Sequence, residues 1–233
     1  MHIIYASETK TLPALDIHAL KNGKVQASAT FSSALDFDSW LPFASEYHDI
    51  SRNPSDYLLV PVLTIPSDLP NRNGVAFPLA ELIAWDPDYG MQAYKTWKGK
   101  PVHIEHDSED PKTAIGIIVD TALKPISGYN QNKHWKLIKL LAIDRNKGGE
   151  HAANLENETE NTFSMGAYVS QYTCGYCDAI MGQCDHISKN RLKDFYLLNG
   201  KLVYRKVHGI RGFETSKVAT PAFVPASSQI IIK

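Results

Sequence analysis

Short apolar or alternating runs dominate this chain, and Gly, Pro, Asn or Asp bounds most of them. These runs are rich in Val, Ile, Thr, Tyr and Phe, which is typical of β-strands separated by turns. In one run, Lys136 and Lys139 alternate with apolar residues, and a slip in the alternation is compatible with a β-bulge. The segments predicted as strands are 57–65, 101–106, 114–123, 134–144, 162–172, 201–210 and 228–233.

Helical signals are fewer and shorter than strand signals. Pro78 stands at a first-turn position ahead of apolar residues at helical spacing, which predicts a helix over 77–85. A second short helix is predicted over 90–97. A third is predicted over 150–160, where Ala, Leu and Glu occur in helical proportion. The chain is therefore predicted to be a mainly β, α+β protein.

Composition and charge limit the class of protein. The 233 residues carry 24 basic and 25 acidic side chains, a formal net charge of −1, which argues against a dedicated nucleic-acid binder. We expect no transmembrane helix, because no run reaches the ~18 apolar residues that one needs. The N-terminal residues lack a secretory signal, so the expected protein is soluble and cytosolic. Residues 1–55 are predicted as an N-terminal arm or strand region, ahead of a main domain over 56–233.

Three cysteines and a histidine cluster in the segment 172–190. Cys174 and Cys177 are separated by two residues, and Cys184 and His186 follow closely. This clustering favours a metal site in a reducing compartment over disulfides. Because Cys3His sets bind Zn²⁺ tetrahedrally with no open position, we predict a structural zinc-knuckle insertion. The alternatives are free thiols in a loop and a redox Cys-X-X-Cys motif, but the chain lacks the thioredoxin-like setting of the latter.

Candidate residues for nucleophilic chemistry lie in two predicted strands. Ser164 is followed two positions later by Gly166, which permits close backbone approach. A serine hydroxyl is a useful nucleophile at neutral pH only when a neighbouring imidazole accepts its proton. Strand alternation predicts His103 and His106 on opposite faces, so that only one of them reaches Ser164. Taken alone, Ser164 is more typical of an ordinary strand hydroxyl, and a lone histidine of an imidazole at the edge of a core.

Ordered segments of the chain resemble the prohead maturation proteases of tailed bacteriophages. Residues 97–120, with the motif PVHIEHD, resemble the histidine block of this family, and residues 162–167 (TFSMGA) resemble its serine block. Residues 212–223, with GFETSKVATPA, resemble its C-terminal E-x-S-x-V-x-x-P-A block. The cysteine cluster and the upstream segment 73–82 fit the zinc-knuckle subgroup of large phages. The resemblance covers residues 57–226 in the right order.

The resemblance implies a serine endopeptidase with an assemblin-like β-barrel and flanking helices. It implies Ser164 as the nucleophile and His106 as the general base. Glu214 is the implied third residue, which would orient the imidazole and stabilise its charged form. The alternatives are His103 for the base, and His208, Asp107 or Asp120 for the third residue.

The resemblance also implies partners and a place of action. Scaffold and major capsid proteins would be the substrates, cleaved inside the immature capsid, or prohead, in the host cytoplasm, together with self-cleavage. Homodimerisation is left open, because assemblins need it to order their active site. The alternative function is a non-catalytic, zinc-containing scaffolding protein of the same fold. A zinc-stabilised binding module unrelated to proteolysis is disfavoured by the near-neutral charge and by the absence of a basic run near the cysteines.

Overall fold

A computed structural model describes residues 2–9, 15–16, 37–126, 134–157, 162–187 and 195–220, with backbone alone for the first two ranges. The strand predicted over 228–233 lies outside these residues. The helices are α1 (Leu41–His48), α2 (Leu79–Ile83) and α3 (Arg145–Glu156). The strands are β1 (His2–Thr9), β2 (Leu15–Asp16), β3 (Tyr57–Pro66), β4 (Val75–Ala76), β5 (Trp85–Asp86), β6 (Met91–Gln92), β7 (Pro101–Ile104), β8 (Gly116–Pro125), β9 (Trp135–Asp144), β10 (Thr162–Val169), β11 (Gln171–Cys174), β12 (Tyr196–Leu198), β13 (Lys201–Val203), β14 (Arg205–His208) and β15 (Arg211–Lys217).

The main sheet has eight strands in the order β1-β10-β15-β7-β8-β9-β3-β2. Its neighbours are antiparallel except for β15 and β7, which run parallel. The sheet curls into a half-barrel, so that β1 and β10 contact β3 across the inner face. A smaller sheet has the order β11-β14-β4, and β12-β13 and β5-β6 form two-stranded pairs. The predicted mainly β, α+β class is confirmed.

Two hydrophobic cores lie on opposite faces of the curled sheet. The inner core includes Phe163, Met165, Ala167 and Val169 of β10, which alternate with outward-facing residues. The outer core forms where α1 covers β3, β8 and β9, with Leu41 among its buried residues. Because strands in this region are buried on both faces, they consist of nearly continuous apolar runs. This explains why the strands over 57–65 and 134–144 are predicted well from sequence.

Strand β9 differs from its predicted pattern in one respect. Lys136 and Lys139 are both buried, at 6% and 0% exposure. The ammonium of Lys139 donates to Thr215 Oγ1 at 2.9 Å and lies 4.4 Å from the centre of the Trp97 ring. The register shifts lie in the neighbouring strands β3 and β8, while β9 itself continues without a bulge. The irregular alternation of lysines and apolar residues in β9 therefore arises because both faces of the strand are buried, and not from a bulge.

The two helices predicted over 77–85 and 90–97 are shorter in the structure. Pro78 is the N-cap of α2 and has an extended backbone, so the helix begins one residue later, at Leu79. The second segment is split between β6 and a 3₁₀ helix over Ala93–Trp97. Both segments are too short for local propensity to decide the helix type.

The helix predicted over 150–160 begins earlier, at Arg145. Asp144 caps it, because its carboxylate accepts hydrogen bonds from the backbone N–H groups of Asn146 and Lys147. Gly149, with φ of 50°, bends the helix in its first half. Sequence composition locates this helix, but the capping aspartate at the end of β9 sets its start.

The N-terminal region contributes to the main sheet. β1 pairs with β10 and β2 pairs with β3, so these two strands lie at opposite edges of the sheet. α1 follows both strands in sequence and packs on the outer face of the sheet. No helix among the described residues is long and apolar enough to cross a membrane.

Candidate active site and metal centre

Three neighbouring strands bring candidate residues to the outer face of the half-barrel. Ser164 in β10 pairs with Ser216 in β15, and Ser216 pairs with His103 in β7. Residues paired across strands point to the same side of a sheet. Because Phe163 and Met165 fill the inner core, Ser164 must point outward, and the side chains of Ser216 and His103 share its face.

Glu214 lies two positions before Ser216 and points to the same face. Its carboxylate is fully buried, with Oε1 lying 3.1 Å from Nδ1 of His106. Its other oxygen accepts a hydrogen bond from the Ser216 hydroxyl. Because an ionised carboxylate only accepts hydrogen bonds, His106 must donate from Nδ1, which leaves Nε2 as the acceptor in a neutral ring. The His106 side chain keeps 22% exposure and so connects a buried carboxylate to the surface.

A strained turn places His106 in this position. β7 ends at Ile104, and Glu105 and His106 have φ of 48° and 62°. The backbone N–H of Asp107 donates to the carbonyl of Ile104, which closes a turn with two positive-φ residues, as in type I′. Non-glycine residues in this region cost about 1–2 kcal/mol each. The prediction that His106 lies on the face opposite His103 is therefore wrong, because the turn brings its ring back to Glu214.

His103 is buried, with 1% exposure, and makes a different contact. Its Nδ1 lies 3.0 Å from Thr113 Oγ1, whose own proton is directed at the carbonyls of Asp107 and Asp110. His103 therefore donates from Nδ1 to the threonine hydroxyl. Burial lowers the pKa of His103, although the nearby charge of Glu214 opposes this effect. Burial against the loop that follows β7 thus favours the neutral form of the ring.

A bulge between β10 and β15 brings Glu214 close to Gly166. The register shifts here, so that Phe213 is an extra residue in β15. A Cβ atom on Gly166 would lie 2.3 Å from the Phe213 ring and 2.6 Å from Glu214 Oε1. On the inner face, the Trp97 indole donates to the Gly166 carbonyl at 3.1 Å. The absence of a side chain at Gly166 therefore makes room for a carboxylate and an aromatic ring on this face.

The alternative third residue, His208, belongs to a separate cluster. Its Nδ1 lies 2.9 Å from Glu81 Oε1, and its Nε2 lies 2.8 Å from Thr173 Oγ1. The second oxygen of Glu81 accepts from the backbone N–H of Gly209. This chain of hydroxyl, imidazole and carboxylate adjoins a cleft of about 510 Å³ lined in part by Glu81 and Arg211. It ties α2 to the small sheet that contains Cys174.

The four predicted metal ligands come together. The ligand atoms of Cys174, Cys177, Cys184 and His186 all lie within 4.8 Å of one another, which is compatible with a metal site. The cluster has its own small core, in which the buried residues are Cys174, Ile187 and Val203. The turn between the first two cysteines is held by the N–H of Tyr176, which donates to Cys174 Sγ at 3.4 Å.

Two backbone N–H groups point at each of two sulfurs, those of Cys174 and Cys184. The N–H groups of the second and third residues after Cys174 point at its thiol, and those after Cys184 repeat the pattern. Burial raises the pKa of Cys174 and exceeds the effect of its amides. Burial also acts to raise the pKa of Cys184, but there the amides and neighbouring thiols outweigh it and the pKa is lowered. Amide donors favour thiolates, the form in which cysteine binds metals.

Comparison with protein-family models, with curated protein sequences and with solved structures gives no match to this chain. Inference about function therefore rests on the residues and their geometry. Sequence reasoning missed two features of the site. The turn at Glu105 and His106 has no glycine or asparagine to signal it. The hydroxyl of Ser216 was present in the E-x-S motif, but only the structure gives it a partner, Glu214.

Proposed function

We propose that this chain is a serine endopeptidase of the prohead maturation type. Ser164 is the nucleophile, His106 the general base and Glu214 the residue that orients the imidazole. The observation that carries the proposal is the buried carboxylate of Glu214, which contacts His106 on the sheet face shared by Ser164. A fully buried carboxylate is costly unless it is paired. Pairing it with a partly exposed histidine is typical of a catalytic triad.

The proposed reaction follows from these roles. The Ser164 hydroxyl oxygen attacks the carbonyl carbon of the scissile peptide bond, and Nε2 of His106 takes the hydroxyl proton. When the C–N bond breaks, the same proton passes to the departing amine, which leaves an ester on Ser164. Water then attacks the ester, with His106 again accepting a proton and returning it to Ser164. Glu214 keeps the ring in the tautomer that this cycle requires and stabilises its charged form.

The fold and partners proposed for the chain follow the resemblance. The curled sheet, with Ser164 on its outer face, is compatible with an assemblin-like β-barrel. The substrates are scaffold and major capsid proteins, which the chain cleaves inside the prohead in the host cytoplasm, and it also cleaves itself. Homodimerisation remains part of the proposal because it accompanies this fold in assemblins.

The metal proposed for the cysteine cluster is Zn²⁺. Three thiolates and one imidazole are ligands that Zn²⁺ prefers, and their number completes a tetrahedral shell. With no position left for water, the ion would have a structural role. It would hold together the segment between β11 and β14, the strands joined directly to those that carry Ser164 and Glu214.

A fluorophosphonate probe tests the identity of the nucleophile. We expect the Ser164 oxygen to displace fluoride from phosphorus, with its proton passing to His106, and mass spectrometry of peptides to locate the adduct on Ser164. A heat-denatured sample, in which the triad is lost, should remain unlabelled. An adduct on Thr173 would assign the chemistry to the His208 cluster. Absence of any adduct, including in a protein whose β1 strand is loosened by a proline substitution, would contradict a serine peptidase.

Replacing Glu214 with Gln is expected to lower kcat by about 10⁴-fold, because an amide can hold His106 in the wrong tautomer. The matched control is Glu81→Gln, which removes the carboxylate from the other histidine, His208. We expect this control to keep near-normal kcat. The measurement is cleavage of a capsid-protein peptide under substrate saturation. Equal losses in both variants would contradict the role of Glu214.

The alternative function is a non-catalytic capsid-assembly protein of the same fold. One observation favours it: Ser164 is only 2% exposed, so a substrate cannot reach the hydroxyl in this conformation. A catalytic role therefore requires that the structure around Ser164 opens. The labelling experiment separates the two functions, because a protein with no activated serine would not react.

A further inference from the structure

We propose that the edge of β10 that faces away from β15 binds the extended substrate peptide. In the closed form of the protein, β1, the strand over His2–Thr9, occupies this edge. This inference rests on the proposed peptidase function. β1 lies at the end of the sheet order, and each of its residues pairs antiparallel with a residue of Thr162–Val169. The register places Ser7 directly opposite Ser164. The strand that carries the nucleophile is therefore covered by a segment of the same chain.

The chemistry of this edge fits an extended peptide. Without β1, strand β10 would present a row of unpaired backbone N–H and C=O groups next to Ser164. Peptides bind to such edges by adding a strand, with main-chain hydrogen bonds for affinity and side-chain pockets for specificity. A peptidase needs its scissile bond in extended form beside the nucleophile. The β10 edge would align the substrate in this way. The pairing of β1 with β10 shows the register in which a strand can bind to this edge.

The same register indicates which side chains the edge prefers. The position opposite Gly166 is Tyr5, two residues before Ser7, and the position opposite Tyr168 is Ile3. The ring of Phe213, in β15, lies close to Gly166 of β10, and its centre is 4.8 Å from the centre of the Tyr168 ring. Both rings are half-buried, which leaves part of each aromatic surface open to a neighbour. The edge therefore fits a peptide with apolar side chains at the second and fourth positions before the residue opposite Ser164.

Occupation by β1 also closes one side of the nucleophile. With β1 paired on one side and β15 on the other, Ser164 lies between two strands and is 2% exposed. Release of β1 would turn β10 into an edge strand and open the site from that side. Displacement or cleavage of the N-terminal strand would then activate the enzyme.

The test uses two proline variants of the full chain, Tyr5→Pro and Ala6→Pro. The N–H groups of consecutive strand residues point in opposite directions, so one of the two variants loses a hydrogen bond to β10 and the other is its matched control. Loss of that bond should raise the rate of fluorophosphonate labelling of Ser164 about fivefold to tenfold. Unchanged labelling in both variants, with a lower Tm that shows β1 to be loosened, would overturn the proposal.

A binding measurement tests the same edge without requiring catalysis. A fluorescent synthetic peptide of residues 2–9 is added to each proline variant carrying Ser164→Ala, and its anisotropy is followed. We expect saturable binding that is at least about tenfold weaker for a scrambled peptide or after Phe213→Ala. Lack of binding would overturn the inference. If no protein labels at Ser164 and the peptide still binds, the peptidase proposal fails while the edge remains a peptide site.

Discussion

Replacing Ser164 with Ala is expected to abolish cleavage of scaffold and capsid proteins, with a loss in kcat of about a million-fold. The loss would be this large because the remaining members of a triad act only through the nucleophile. His106 and Glu214 would keep their contact in the variant, but there would be no hydroxyl for Nε2 to deprotonate. The measurement is intact-mass analysis after co-expression with the cognate scaffold and major capsid proteins.

The matched control for this variant is Ser170→Ala. Ser170 directly follows β10, and its exposed hydroxyl donates to the backbone carbonyl of His208 rather than to the candidate triad. We expect full cleavage in this control and an unchanged Tm in both variants. Equal cleavage by wild type and Ser164→Ala would make Ser164 an ordinary strand serine. No cleavage by the wild type would favour the scaffolding function.

Local patterns predict the parts of this fold that depend on local sequence. The long strands β3 and β9 are apolar runs bounded by turn residues, and the structure confirms them. The cysteine cluster is also local, because its four ligands lie within one short segment. The turn at Glu105 and His106 is different, since its tertiary partners, among them the buried Glu214 and the backbone of Lys217, compensate for the strained backbone. Sequence patterns carry no signal for such compensation.

The burial of Lys139 is a second feature that depends on tertiary partners and that the sequence does not predict. A lysine among apolar residues predicts an exposed position, yet this one is fully buried. Its burial depends on Trp97, which supplies an aromatic face, and on Thr215, which accepts a hydrogen bond. Both partners are distant in sequence and on other elements. The inner face of the half-barrel could therefore be outlined from sequence, but its polar contacts could not.

Loss of one metal ligand is expected to produce the largest change in stability. Cys177→Ser leaves three ligands and should lower the free energy of unfolding by about 4 kcal/mol, because metal binding is part of the folding free energy. At about 2–4 °C per kcal/mol for a chain of this size, Tm should fall by about 8–16 °C. A strong chelator should lower the Tm of the wild type by a similar amount and have little further effect on the variant.

The matched control for the metal prediction is Asp185→Asn. Asp185 stands between Cys184 and His186 in sequence but is exposed and outside the ligand cluster, so this variant should keep its Tm and one equivalent of zinc by metal analysis. Wild-type protein without zinc, or an unchanged Tm in Cys177→Ser, would contradict the prediction. Lower proteolysis in Cys177→Ser would still not make the metal catalytic. β11 and β14 join the cluster to β10 and β15, the strands that carry Ser164 and Glu214, so disorder in the cluster would reach the nucleophile through the backbone.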